Sequence, residues 1–344
     1  MKRKLVFSVL TWIGILLLLE LGVRGYEAVR EAGRADTGAT PNHVSTFTPH
    51  PFLTYAGNPD YFDHNAQGFR APKDLRYEPH PTTFRIACLG GSSTYDTRTS
   101  REESYPHQLE LALAARGVAR PEVINAGLGG YSTPNLIGML ALRVVPLEPR
   151  IVLFYSGFND AWNRLLYRGF EPDYAHAMRS WDLRPMPLWR RSHLLDRVAK
   201  KLGSPSPRDP HIHDVAWHPM SGDPAENWRA SSDDAFDRNL VTLVAIARAH
   251  GIRPVLVTQA TDFASHPVEH DNAVWDQAMR EYTDVVVRVA TTHGVDLIDV
   301  RTPMSDRPEY FADVLHMTAA GNRERARIIA DFLLERGLVP VAAP

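Results

Sequence analysis

The stretch IACLGGSSTYD, residues 86–96, decides how this chain folds. Ile86, Ala87, Cys88 and Leu89 form a continuous apolar run, the pattern of a strand buried on both faces. Gly90 and Gly91 break it, and Ser92, Ser93 and Thr94 follow at once. A strand that turns through glycines into hydroxyl residues puts those hydroxyls at its carboxyl end, where open α/β sheets hold their sites. A purely structural glycine turn with a polar cap has the same appearance, so the stretch alone leaves both readings open.

The pattern repeats downstream. Ser104 is placed as an N-cap with Pro106 in the first helical turn, Leu109 and Leu113 share a face, and Gly117 ends the helix. EVIN (122–125) reads as a second strand, Thr133 as the cap of a helix running towards Val145, and RIVLFYSG (150–157) as a third strand. A helix over 234–250 stops at Gly251 before the strand RPVLVTQ (253–259). Another over 272–293 stops at Gly294 before VDLIDV (295–300), and a last helix runs from Thr318 to Arg336 with Gly337 just beyond it. Short apolar strands alternating with amphipathic helices predict a mostly parallel sheet covered on both faces, a three-layer α/β/α sandwich of flavodoxin-like type. No internal repeat is visible.

Bulk properties narrow the function. The chain has 344 residues, 44% hydrophobic and 23% charged, with a net charge of −2, which gives no electrostatic reason to expect a nucleic-acid partner. Cys88 is the single cysteine, so no intrachain disulfide can form, and a chain this long can build a core without one.

The N-terminus departs from this average. Lys2, Arg3 and Lys4 precede an apolar run from Leu5 to Leu19, extended by Leu21, Gly22 and Val23 past Glu20. Residues 1–26 are a membrane anchor or a signal segment. Glu20 and Arg24 stand where a neutral cleavage region would lie, which favours an uncleaved transmembrane helix. The basic N-terminus then predicts a single-pass protein with its folded domain outside the cytoplasm, secretion after cleavage being the alternative. Residues 27–82, rich in Pro, Gly, His and Asn, read as a linker and surface-wrapping segment. The folded domain is expected over 83–338, with a Trp-, Pro- and Arg-rich insertion at about 161–232 that holds five of the seven tryptophans.

Four polar clusters fall at strand ends: GGSST (90–94), NAGLGGYS (125–132), GFND (157–160) and ADVLHMT (312–318). Acyl transfer from an ester needs a nucleophile, a base, a group that orients the base, and donors for the oxyanion. Ser92 can be the nucleophile and His316 the base. Asp313, three residues earlier, can bond the other ring nitrogen. The backbone N–H groups of Ser92 and Gly130 and the side-chain amide of Asn159 can face the oxyanion.

At these residues the chain resembles the SGNH (GDSL-type) hydrolase superfamily, over roughly Phe84 to Leu334. Gly90-Gly91-Ser92-Ser93-Thr94 matches the Gly-Asp-Ser-x-Thr block, which puts Ser92 rather than Ser93 in the nucleophile's place. The family glycine falls on Gly130, Gly-x-Asn-Asp on Gly157 to Asp160, and Asp-x-x-His on Asp313 and His316. Gly91 departs from the family aspartate. LLLLELGVR (16–24) and NAQGFR (65–70) resemble the membrane-anchored bacterial branch. The α/β-hydrolase elbow Gly-x-Ser-x-Gly is absent, since Thr94 stands at its last position.

The resemblance implies a serine esterase that removes an O-acyl group, such as acetyl, from a carbohydrate or lipid of the bacterial cell envelope. It implies no cofactor and no metal. The expected partners are the ester substrate and, through the N-terminal helix, the membrane; oligomeric state is not readable. An acyltransferase with the same triad, passing the acyl group to a sugar hydroxyl, is the first alternative, and a non-catalytic glycan-binding protein the second. His211, His213 and His218 have a spacing open to a metal, but no acidic or cysteine partner completes it, and solvated loop histidines are the simpler reading. Asp160 is expected to support the Asn159 turn and Cys88 to be inert core. The insertion's tryptophans line a pocket or pack the insertion itself.

Overall fold

A computed structural model describes residues 2–35, 45–181, 187–204, 215–268 and 272–341. His211 and His213 lie outside the described residues, as do parts of the expected linker and of the insertion.

Five strands form one parallel sheet: β3 (Phe84–Gly90), β4 (Pro121–Gly127), β5 (Ile151–Tyr155), β6 (Arg253–Val257) and β7 (Asp296–Ile298). Their spatial order is β4-β3-β5-β6-β7. The chain therefore steps from β3 to one side, then returns past it and continues to the other. The crevice above such a reversal is where α/β sheets bind ligands. Register brings Gly90 level with Gly127 and Tyr155, so the ends of β4, β3 and β5 form one ledge.

Side-chain alternation splits the core into two layers. Ile86, Cys88, Leu153, Tyr155, Val255 and Val257 face the helices Tyr105–Ala115 and Ala319–Glu335. Ala87, Leu89, Val152, Phe154 and Leu256 face the helices Thr133–Met139, Asp234–Ala249 and Asn272–His293. The fold is thus the expected α/β/α sandwich. Each fully buried Leu, Val or Ile contributes about 1.5–3 kcal/mol.

Local details differ from the sequence reading. Ser132, not Thr133, precedes the helix Thr133–Met139, and its N–H donates to the Asn135 side chain at 3.1 Å. Thr133 bonds Asp160 instead, which removes it from the cap. That helix continues as a π turn (Leu140–Val144) and a 3-10 turn (Val145–Leu147), where Pro146 lacks the N–H an α-helix needs. Ser104 sits at the N-cap of its helix, but its hydroxyl donates back to Arg101 O. Thr318 caps the last helix, its hydroxyl oxygen accepting from Gly321 N at 3.2 Å.

Residues 45–82, expected from composition to be linker and surface-wrapping segment, carry an antiparallel hairpin, β1 (Phe47–His50) with β2 (Thr54–Gly57). An N-terminal helix runs from Lys2 to Ala35; Lys2–Val29 is long and apolar enough to cross a membrane, and its most apolar stretch is not buried against the rest of the protein. A signal sequence has the same character.

Candidate active site

Each block of the site hangs from a different strand. Ser92 begins a single helical turn, Ser92–Tyr95, directly after β3. Gly91 lets the Asn159 amide approach the turn closely: a β-carbon on it would run into the Asn159 amide nitrogen and stand 3.1 Å from Tyr131 O. Gly130, after β4, has φ +79°, and a β-carbon on it would strike the Trp217 ring. Asn159 follows β5, in the first turn of the helix Phe158–Leu165.

His316 comes from the far edge of the sheet. The chain leaves β7 and crosses back over the end of β6, where Asp306 N donates to Thr261 O and Asp262 N donates to Val314 O. Ala312 N then donates to His316 O, closing a tight loop. Within it, Asp313 Oδ1 accepts from Leu315 N at 3.1 Å and His316 N at 2.8 Å, an Asx-type turn. The same carboxylate lies 2.9 Å from His316 Nδ1, and His316 Nε2 lies 2.8 Å from Ser92 Oγ. A carboxylate only accepts, so Nδ1 carries the proton and Nε2 accepts from the Ser92 hydroxyl. Burial acts to raise the Asp313 carboxyl, but its bonds to the His316 ring and to the backbone N–H groups of His316 and Leu315 hold it well below the usual carboxylate range.

The five residues singled out from sequence, Ser92, Gly130, Asn159, Asp313 and His316, are brought around one opening. Ser92, Gly130, Asn159 and His316 line a pocket of about 270 Å³, whose other walls include Phe47, Phe158, Trp162, Trp217 and Leu315. Asn159 Nδ2 donates one hydrogen to Tyr131 O at 2.8 Å, which leaves its second hydrogen free to point elsewhere.

Of the supporting residues outside the four blocks, only Arg70 falls in a quoted motif, NAQGFR (65–70). Arg98 Nε donates to Asp313 Oδ2 at 3.0 Å. Gln259, two residues beyond β6, accepts from Phe158 N at 2.8 Å and donates to Ser93 Oγ at 3.1 Å, tying the Ser92 turn to the Asn159 turn. Tyr55 of β2 donates to Gly129 O at 2.8 Å and so pins the Gly130 turn. Arg70, buried in NAQGFR, pairs with Asp63 at 2.6 Å and donates to the carbonyls of Tyr95, Asp96 and Thr99, clamping the chain just after Ser92. The segment before residue 83 is therefore part of the site's scaffold.

Asp160 is fully buried beneath the pocket. Its Oδ1 accepts from Thr133 N, Thr133 Oγ1 and Tyr174 OH, while Oδ2 has no partner among the described residues. Burial pushes its carboxyl up to about 6, against those hydrogen bonds. Cys88 is buried in the sheet, its thiol pushed up to about 12 by burial. The insertion's tryptophans divide: Trp162 and Trp217 line the pocket, Trp181 and Trp228 pack in the core, and Trp189 is exposed.

Among solved structures, the chain is similar to a lipase/acylhydrolase from Enterococcus faecalis, at 18% identity and TM-score 0.48 over 76% of this chain and 99% of that one. It is also similar to the acetyl xylan esterase AlAXEase, at 18% identity and TM-score 0.47 over 72% and 99% of the two chains. A third is Axe2, an acetylxylan esterase from Geobacillus stearothermophilus, at 18% and TM-score 0.44 over 74% and 94%. No curated protein sequence matches. The model of the GDSL-like lipase/acylhydrolase family matches residues 88–324, more than two thirds of the chain, and every residue of the Ser92 pocket but Phe47 falls inside that range. The chain belongs to the GDSL-like lipase/acylhydrolase family and is an SGNH-type ester hydrolase.

Proposed function

We propose that Ser92, His316 and Asp313 are the catalytic triad of this hydrolase and that it works through an acyl-enzyme on Ser92. The observation that carries this is the unbroken chain of contacts, Ser92 Oγ to His316 Nε2 at 2.8 Å and His316 Nδ1 to Asp313 at 2.9 Å. Ser92 Oγ attacks the ester carbon as its proton passes to His316 Nε2. Negative charge develops on the former carbonyl oxygen, which the N–H groups of Ser92 and Gly130 and the Asn159 amide stabilise. As the C–O bond to the alcohol breaks, His316 returns the proton to the leaving oxygen. Water then adds to the acyl-enzyme with His316 again as base, and collapse frees the acid and restores the Ser92 hydroxyl. Asp313 orients the ring and stabilises the imidazolium without itself being protonated.

The substrate we infer is a short O-acyl ester, such as an acetyl ester, of a cell-envelope carbohydrate or lipid. A pocket of about 270 Å³ with aromatic walls suits a small acyl group with its alcohol at the mouth. We assign the enzyme a retained N-terminal anchor and, on the extracytoplasmic side, a catalytic domain of residues 83–338 braced by the preceding segment through Phe47, Tyr55 and Arg70, with the 161–232 insertion contributing Trp162 and Trp217 to substrate selection. A hydrolysis screen of acetyl and longer acyl esters, with and without sugar acceptors and with a fluorophosphonate probe, tests the reading. Labelling of Ser92 and release of free acid from short esters is the expected result. Acylated sugar in place of free acid would make the enzyme a transferase, and an unlabelled Ser92 would overturn the triad.

A further inference from the structure

We propose that the segment Leu188–Leu202 is a lipid-contact surface, docked onto the N-terminal helix so that the stripe Leu195, Val198 and Leu202 enters the bilayer interface where that helix leaves the membrane. The proposal goes beyond the esterase reading and rests on Lys2–Val29 being a retained span.

Three observations carry it. The first is the docking itself. Glu20 is the one charged residue between Leu5 and Val23. A carboxylate there is expensive; Arg24, one turn on, pairs with it at 2.8 Å, and its oxygens also accept from Ser192 Oγ at 2.7 Å, His193 N at 2.9 Å and Leu194 N at 2.9 Å. Those groups form the N-terminus of the helix His193–Lys201, whose orphan donors favour an anion. Glu27 adds contacts to His193 at 2.5 Å and to Arg197 at 3.4 Å. Arg197 also lies over the Tyr26 ring at 4.7 Å. The odd carboxylate of the apolar run is thus explained as the cap of a helix over 170 residues away in sequence.

The second is depth. At 1.5 Å per residue, Leu5 to Val23 spans about 28 Å, close to a hydrocarbon core of about 30 Å. Glu20 sits within one turn of its far end. A helix hydrogen-bonded to Glu20 is held at the interface by chain geometry.

The third is the outward face. Leu195, Val198 and Leu202 recur at helical spacing and are 44%, 47% and 81% exposed, while Asp196 and Ala199 are buried on the other side. Leu188 and Trp189, at 76% and 50%, extend the stripe. Arg191, Lys200 and Lys201 are exposed around it. An apolar stripe with tryptophan and flanking cations is the make-up of an interfacial helix on an anionic bilayer.

The test uses the full chain in nanodiscs containing anionic phospholipid, with an environment-sensitive fluorophore on Leu202→Cys; Cys88 is buried and does not compete. Nitroxide lipids with the spin label near the headgroup should quench this probe several-fold, as they should a probe on Ile13→Cys placed for deep-label lipids. Glu20→Ala should relieve quenching at 202 and leave that at 13 unchanged. A probe at 202 that stays in water while the one at 13 is quenched overturns the surface contact. No quenching at either position overturns the span on which it rests. Undiminished quenching at 202 in Glu20→Ala overturns the docking through Glu20.

Discussion

Alanine at Gly91 should disable the enzyme while leaving it folded. The backbone there has φ −83°, outside the left-handed region that calls for glycine. The obstacle is steric: the new β-carbon would occupy the place of the Asn159 amide nitrogen and press on Tyr131 O, the carbonyl that positions that nitrogen. A carbon–nitrogen pair needs about 3.5 Å, so the amide must move by about 1 Å or more. A displacement of that size removes an oxyanion donor, which is worth roughly 10²–10³ in kcat, or about 2.7–4 kcal/mol. The assay is saturation kinetics on a small aryl acetate. kcat should fall by that factor with KM little changed, because the oxyanion forms only in the transition state. Asn159→Ala should show the same loss. The double variant should lose little more than either single one, since the clash has no target once the amide is gone. Unchanged kcat in Gly91→Ala, or fully additive losses in the double variant, would refute the reasoning. By the same geometry, aspartate at this position, the residue of the resembled family, should lower activity here.

Ser92→Ala should abolish turnover at unchanged melting temperature, while Ser93→Ala should retain most of it; the reverse result would move the nucleophile. Asp160 is protonated in the native state up to about 6 but ionises near 3.8 when unfolded, so its contribution to stability is full below about pH 4 and is lost as pH rises through about 6. The stability difference between wild type and Asp160→Asn should therefore shift by about 3 kcal/mol between those limits, read by urea melts at several pH values; parallel curves would refute it. Trp162→Ala should impair a bulky natural-type ester more than an aryl acetate, whereas Trp228→Ala, in the core, should lower stability by about 3–5 kcal/mol; equal effects of Trp162→Ala on both esters would remove it from substrate selection.

The five strands of the parallel sheet, the helix stops at glycine and the five proposed site residues were legible in the sequence because each rests on a local signal. Apolar runs ending in glycine mark strand ends, and a parallel sheet gathers strand ends on one side, so Ser92, Gly130 and Asn159 had to be neighbours if β3, β4 and β5 were. Asp313 and His316 were legible as a pair because a three-residue spacing closes through an Asx turn.

Tertiary structure decided what no local pattern encodes. Strand order is one such matter: nothing near Ile151 says that β5 lies beside β3, and without that the Asn159 amide would not meet Gly91. The return of the 305–318 loop over β6 is another, because His316 leaves from the far edge of the sheet. The roles of Arg70, Tyr55 and Gln259 depend on partners 25 to 166 residues away, and a single Arg, Tyr or Gln in a sequence carries no mark of the carbonyl it will bond. Glu20 shows the limit most plainly. As sequence it is a charge that weakens an apolar run; in three dimensions it caps the helix at His193, because a hydrogen bond is short-ranged in space and indifferent to separation along the chain.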